Sequence, residues 1–248
     1  MLKITAKIKI PEGNYFFKDE IKEVLLYVKK IGYPVFLKPN SKSMGRLCQK
    51  VYSNKELRKK LKEIFKIDRV ALIQKPVLGK EYRLLVLKNQ ILLAYQKMPP
   101  QIIGDGKSKI SQLINQKNKI GQKEIKIDKI IKEKLKQLNL TLSSILAKNK
   151  KIILRDNANL STGGEIVAEI KLRGQKAKKM IKKISDIFGV NFFALDLMTK
   201  NIDQPKNWII LEINGDPLLS EFYQRHPEKV IEIYKKIIRA CFEKYGGK

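Results

Sequence analysis

Two cysteines, one histidine and one tryptophan among 248 residues set the first limits on this chain. Cys48 and Cys241 stand far apart, so there is neither a disulfide framework nor the paired spacing of a zinc site, and a reducing compartment is expected. A lone His226 excludes metal centres built on histidine clusters; it precedes Pro227 and reads as a surface or loop residue. No run approaches the roughly 20 apolar residues of a membrane span. The first ten residues alternate lysine with apolar residues rather than forming a signal peptide, so a cytoplasmic protein without membrane contact is expected. The pattern GxxxxGK(S/T) occurs nowhere, which excludes a P-loop. Acids are scarce, 24 against 53 Lys and Arg, for a net charge of +29. Such a balance attracts polyanions. Lysine enrichment nevertheless runs along the whole chain, and aromatics are not interleaved with it as a single-strand-binding surface would want. The charge therefore reads first as composition bias, and nucleic acid is not an expected partner, although the field favours an anionic substrate.

What is present is a folding chain: 43% apolar residues and enough length for one large domain or two lobes. Ile21, Val24, Leu25 and Val28 recur at helical spacing between Asp19, a candidate N-cap, and Gly32. Pro34-Val35-Phe36-Leu37 reads as a buried strand that delivers Lys38 into the small polar loop 39–46, with Ser41, Ser43 and Gly45. Loop N–H groups, hydroxyls and a lysine suit a phosphate; the same residues also make an ordinary turn. A strand near 49–52, a helix over 54–66 and a strand over 70–74 follow. Gln74-Lys75-Pro76-Val77-Leu78-Gly79 then bends the chain between two lobes.

Residues 82–87 and 91–97 form a hairpin around Lys88-Asn89-Gln90, with Arg83 and Lys97 either solvated or aimed at an anion. The segment 107–151 is helical in pattern, with thirteen lysines and three acids. Such a face is ordinarily solvated, and it is also the best nucleic-acid patch in the chain. After a short strand over 151–154, the loop from Arg155 to Gly164, rich in amides and hydroxyls, is too elaborate for a simple connection. Helices are expected over 177–188 and 227–242.

The central stretch is Asp196 to Asn214: two apolar runs around a turn rich in Asn, Asp and Pro, the pattern of a hairpin with a long loop. Glu212 and Asn214 are two apart on one strand and point to one face; Asp196 on the partner strand can face them. Two carboxylates and an amide on an apolar sheet call for a cation such as Mg²⁺. The alternative is a set of surface polar residues on a half-buried sheet.

Taken together, five stretches in order resemble an ATP-grasp carboxylate–amine ligase over nearly the whole chain. They are Ile31 through Asn40, Gly79-Lys80-Glu81-Tyr82-Arg83-Leu84-Leu85-Val86, Ile103-Gly104-Asp105-Gly106, Asn159 through Gly164, and Leu211-Glu212-Ile213-Asn214. The resemblance is closest to the ATP-grasp portions of cyanophycin synthetase and of fused bacterial glutathione synthetases. It implies an α+β fold with two α/β lobes and ATP and metal between them. The N-terminal lobe would be 1–75, without a preceding substrate domain. The C-terminal lobe would be 76–248, with a lysine-rich helical insertion at about 104–150.

By that resemblance Lys38, Ser41, Ser43, Gly45, Gln74, Lys75, Val77 and Glu81 bind ATP. Asp196, Glu212 and Asn214 hold Mg²⁺ or Mn²⁺. Arg155 stabilises charge developing in catalysis, and Arg83, Lys97, Asn157 and Ser161 meet substrate or phosphate. The implied reaction joins an amino-acid or peptide carboxylate to an amine through an acylphosphate, with a partner chain or second copy completing the acceptor side. A nucleotide-binding module without catalysis and a basic nucleic-acid-binding protein are the alternatives. After Asn214 the family's Asn-x-x-Pro-Gly becomes Asn214-Gly215-Asp216-Pro217-Leu218, a departure that leaves the substrates open.

Overall fold

The computed structural model describes residues 8–42, 45–120, 124–172, 174–224 and 226–242. The chain divides into two compact units. One gathers Met1–Lys9, Gly79–Gln96 and Val167–Lys248; the other gathers Ile10–Leu78 and Lys97–Ile166. No helix among the described residues is long and apolar enough to cross a membrane.

The unit that begins at Ile10 is built on a four-stranded antiparallel sheet. Its strands are β1 (Gly13–Phe17), β2 (Val35–Pro39), β3 (Gln49–Val51) and β4 (Val70–Gln74), in the order β1-β4-β2-β3. Alternation along the strands sorts the two faces. Phe16, Val35, Leu37, Val51, Ala71 and Ile73 point to one side and pack against α1 (Ile21–Ile31) and α2 (Asn54–Ile64). Both helices are amphipathic, burying Val24 and Val28 from α1 and Leu57, Leu61 and Ile64 from α2. Helix α1 is entered at Glu20 rather than at Asp19: the Glu20 carboxylate turns back to accept the Phe17 N–H at 2.7 Å, so it closes the preceding turn. Ser53 caps α2 by accepting the Glu56 N–H.

The lysine-rich segment of the same unit is only partly helical. It forms α3 (Ile110–Ile120) and α4 (Lys129–Gln137) around the two-stranded pair β7 (Gln101–Ile103) and β8 (Lys151–Ile153). These elements share a core of Ile102, Ile110, Ile114, Ile131, Leu135 and Ile152. Beyond α4 the chain is irregular, because Asn139 and Asn149 adopt the left-handed region and Thr141 and Ser144 bond locally.

The other unit is a five-stranded sheet with strands β5 (Lys80–Leu87), β6 (Gln90–Met98), β9 (Glu165–Glu169), β10 (Phe192–Thr199) and β11 (Ile209–Asn214), in the order β11-β10-β5-β6-β9. A tight turn joins β5 to β6, with Lys88 and Asn89 both at positive φ, the two-residue form that matches strand twist. Strand β10 is an interior strand, between β11 and β5, and is buried on both faces. Helix α5 (Gln175–Phe188) buries Ile181 and Ile184 and ends at Gly189 in the left-handed region. Helices α6 (Ser220–Tyr223) and α7 (Pro227–Phe242) follow β11. Phe222 stacks on Tyr95 of β6 at 5.7 Å between ring centroids. Trp208 is buried just before β11 and donates its indole N–H to the Ile202 carbonyl at 2.9 Å.

Candidate active site

Each unit holds one group of the residues singled out in the sequence. In the five-stranded sheet, β10 lies between β5 and β11. Asp196 is directly opposite Arg83 on one side and Glu212 on the other. Directly opposite residues share a face, so Arg83, Asp196 and Glu212 form one row across three strands. One pleat away Ala194 is opposite Asn214, and the other way Met198 is opposite Glu81. A β-bulge at Leu211 produces this alignment. Met198 pairs with Ile209 and Leu197 with Ile210, yet Asp196 pairs with Glu212, so Leu211 is the extra residue. Without it, Glu212 would stand opposite Leu195 and point away from Asp196.

Asp196 is buried and Glu212 is exposed. The Asp196 carboxylate is gripped side-on by Arg83, whose Nε donates to Oδ1 at 2.8 Å and whose Nη2 donates to Oδ2 at 2.6 Å. Burial alone would lower the Arg83 pKa. The hydrogen bond and charge of Asp196, helped by Tyr95, outweigh it and hold the guanidinium above its ordinary value. The fork that sequence reasoning left either solvated or aimed at an external anion therefore meets a carboxylate of its own sheet.

The donor set Asp196, Glu212 and Asn214 consists of hard oxygen groups in register. The small Ala194 stands opposite Asn214, whose Nδ2 is buried with no hydrogen-bond partner among the described residues; the amide Oδ1, not this donor, is the atom that would meet a cation. These residues fit a hard divalent cation completed by other oxygens. Among the described residues no group of three His, Cys, Asp or Glu side chains comes together; the fit depends on the asparagine. Gly79, at the entry to β5, has its backbone against Thr199, where a Cβ would lie 2.8 Å from the carbonyl carbon.

In the other unit, Lys38 lies across from Leu72 and Gln74 across from Phe36. All four point to the sheet face away from the helices and are half-buried. Lys50 and Tyr15 belong to the same face by register. A half-buried platform of aromatic and aliphatic groups with Lys38 among them suits a flat ring joined to an anion. Lys75 and Val77 follow β4; Lys75 is exposed and pairs with Glu12 at 2.8 Å. Ser41 is held by Asp68, to which its N–H and its hydroxyl both donate, at 2.7 and 2.8 Å. Ser43 lies outside the described residues.

The loop after β8 meets the loop between β2 and β3 within this unit. Asn157 Nδ2 donates to the Cys48 carbonyl at 3.3 Å, and Asp156 accepts the Lys50 N–H at 3.1 Å. Gly45, at φ +68°, has its Cα against Asn157 and Asn159, where a side chain would crowd both. Asn159 organises the loop: its Oδ1 accepts the N–H and the hydroxyl of Ser161, and its carbonyl accepts the Gly164 N–H. Arg155 is buried. Its Nη2 donates to Asp128 at 2.7 Å and to the Lys126 carbonyl at 3.4 Å, while its Nε is buried with no partner among the described residues. Asn157 Oδ1 is likewise buried without one. A buried donor and a buried acceptor left open in one loop mark a place where a polar ligand is expected. Lys97, at the end of β6, is buried as well.

Sequence reasoning missed Asp128, Asp156 and Lys134. Asp128 is the N-cap of α4, accepting the Ile131 N–H with one oxygen while the other holds Arg155. Lys134 pairs with Asp156 at 2.6 Å. Asp128 had a usable signal, since it is an N-cap residue opening a helical pattern; its contact with Arg155 had none.

The chain belongs to the family described as D-ala D-ala ligase C-terminus, an ATP-grasp domain, whose model matches residues 6–150. Its fold is α+β ATP-grasp. A D-alanine–D-alanine ligase structure from Bacillus anthracis matches it with a TM-score of 0.54 at 17% identity, covering 97% of this chain and 67% of that one. Cyanophycin synthetase of Trichormus variabilis is 26% identical over 224 residues, covering 85% of this chain and 25% of the relative. The glutathione biosynthesis bifunctional protein GshAB of Clostridium perfringens is 31% identical over 238 residues, covering 86% of this chain and 29% of the relative. The chain thus spans about a quarter to a third of the length of these curated relatives.

Proposed function

We propose that these residues form the nucleotide-activating part of an ATP- and Mg²⁺-dependent ligase, which joins the carboxylate of an amino acid or peptide to an amine through an acylphosphate. The observation that carries this reading is the in-register pair Asp196–Glu212 with Asn214 beside it, an oxygen donor set for a hard cation. Family membership supports it, since ATP-grasp ligases use ATP and Mg²⁺ and their relatives form amide bonds.

In this reading Lys38 neutralises phosphate charge, and the loop at Ser41, Ser43 and Gly45 covers the phosphates. The backbone of Gln74, Lys75 and Val77 reads the adenine edge, and Glu81 takes the ribose hydroxyls. Asp196, Glu212 and Asn214 hold Mg²⁺, which when bound offsets the charge of the phosphate oxygens. The open Nε of Arg155 donates to oxygen that gains negative charge during transfer, from a buried position where such a bond is strong. Asn157, Ser161 and Lys97 orient carboxylate or phosphate by fixed donors. Completion of the acceptor side by a partner chain or a second copy and a cytoplasmic location belong to the same proposal.

The test is ATP turnover screened against amino acids and short peptides, paired with amines, with product masses determined. Activity should require Mg²⁺ or Mn²⁺ and fall to background in Glu212→Gln. Turnover in that variant equal to the parent would remove the metal reading. Nucleotide binding without phosphate release across the whole panel would favour a binding module that has lost catalysis.

A further inference from the structure

In the row across β5, β10 and β11, a positive charge sits beside two negative ones. Arg83, Asp196 and Glu212 are consecutive in register, and Arg83 holds both oxygens of Asp196 in a parallel two-bond fork. The pair is largely out of water, with side-chain exposures of 23% for Arg83 and 6% for Asp196. Counting the row gives +1 −1 −1, a net charge of −1, where the donor set without Arg83 would carry −2. The affinity of an oxygen site for a divalent cation follows the charge of its ligands. A guanidinium paired with one of the proposed ligands opposes the binding of a cation by that ligand with little solvent screening.

From this geometry we infer that Arg83 is a built-in counter-ion of the Asp196–Glu212–Asn214 row. It keeps affinity for a free divalent ion low and makes the ion enter together with the phosphates of the nucleotide. The inference rests on the metal reading of that row and goes beyond it, because it assigns Arg83 to the metal site's charge and not to substrate. The fork also fixes the orientation of the Asp196 carboxylate, so Arg83 is a positioning residue as well. Tyr95 supports it from β6, where the ring is buried and stacked on Phe222. Nucleotide phosphates bring the negative charge that the row lacks, so metal and nucleotide strengthen each other's binding, reciprocally.

The test uses Mn²⁺ as the probe and its electron paramagnetic resonance signal as the readout, with and without a non-hydrolysable ATP analogue. The parent protein should bind Mn²⁺ at least about tenfold more weakly without the analogue than with it. Arg83→Met should bind free Mn²⁺ about tenfold more tightly than the parent and lose most of the dependence on the analogue. Arg83→Lys, which keeps the charge, should stay near the parent. Thermal melting of each variant reports whether the sheet is intact. Equal Mn²⁺ affinity in a folded Arg83→Met and the parent would overturn the inference. So would a parent protein that binds Mn²⁺ equally well with and without analogue, a result that needs no variant. Mn²⁺ binding with analogue that Glu212→Gln leaves unchanged would instead overturn the metal reading on which the inference stands.

Discussion

Asp128 joins two jobs whose energies can be separated. Its Oδ1 caps α4 through the Ile131 N–H at 3.1 Å, and its Oδ2 accepts from Arg155 at 2.7 Å. Removing an N-cap costs about 1 kcal/mol. Losing a hydrogen bond to a charged group costs about 1.5–3 kcal/mol. Asp128 is 44% exposed while Arg155 is only 5% exposed. Solvent therefore screens the acid, and the lower end of that range applies. Asp128→Ala should destabilise by about 2–3 kcal/mol, the sum of the two losses. Asp128→Asn retains a good cap and a neutral acceptor, so about 1 kcal/mol is expected for the lost charge alone.

Urea titrations followed by circular dichroism, with midpoint and slope compared across the three proteins, measure both. If Arg155 acts as proposed, ATP turnover should fall in both variants, because the guanidinium has lost the group that aims it. Asp128→Ala within about 0.5 kcal/mol of the parent, the scatter of neutral surface changes, would refute the double role. Equal destabilisation by Ala and Asn would refute the capping part alone.

Two further outcomes follow. Gly79→Ala should destabilise and disturb the start of β5, because the added methyl would lie 2.8 Å from the Thr199 backbone and φ there is +148°; melting temperature reads the effect. Helices α2 and α4 are tied by Lys60 to Glu133 at 2.5 Å and by Lys129 to Glu63 at 2.7 Å. Burial alone would raise the Glu133 and Glu63 carboxyls, but hydrogen bonds and charge from Lys59, Lys60 and Lys129 outweigh it and hold both below their ordinary value of 4.5. Their contribution is fully present above pH 4.5 and is lost as pH falls through the lower folded values. Glu133→Gln should flatten the acid limb of stability against pH, and an unchanged limb would contradict the pairing.

Much of the fold was legible because the signals were local. Short continuous apolar runs placed β2 and β4, with Lys38 leaving one and Gln74 ending the other. Helical spacing of Leu57, Leu61 and Ile64 placed α2, and punctuation placed the end of α5 at Gly189 and the start of α7 at Pro227. The short strands β1, β7 and β9 escaped notice: each is three to five residues long with little alternation, and the partner strands stabilise them. The segment from 138 to 150 read as helical as part of a longer lysine-rich stretch, while local side-chain bonds to backbone decide for the loop.

The residue types of the candidate site were determined by the sequence alone: two carboxylates and an amide on apolar strands, a lysine at a strand's end, an arginine opening an amide-rich loop. Which of them meet was decided by tertiary structure. The bulge at Leu211 turns Glu212 to the side of Asp196, and a one-residue register shift has no signature in residue order. The partners of the charged groups are equally non-local. Arg83 finds Asp196 across 113 positions of sequence, and Asp156 accepts the Lys50 N–H across 106. Charge and hydrogen-bond satisfaction in a buried place depend on distances that only folding sets, and there the Asp196 carboxylate, expected only as a cation ligand or a surface group, meets the Arg83 guanidinium.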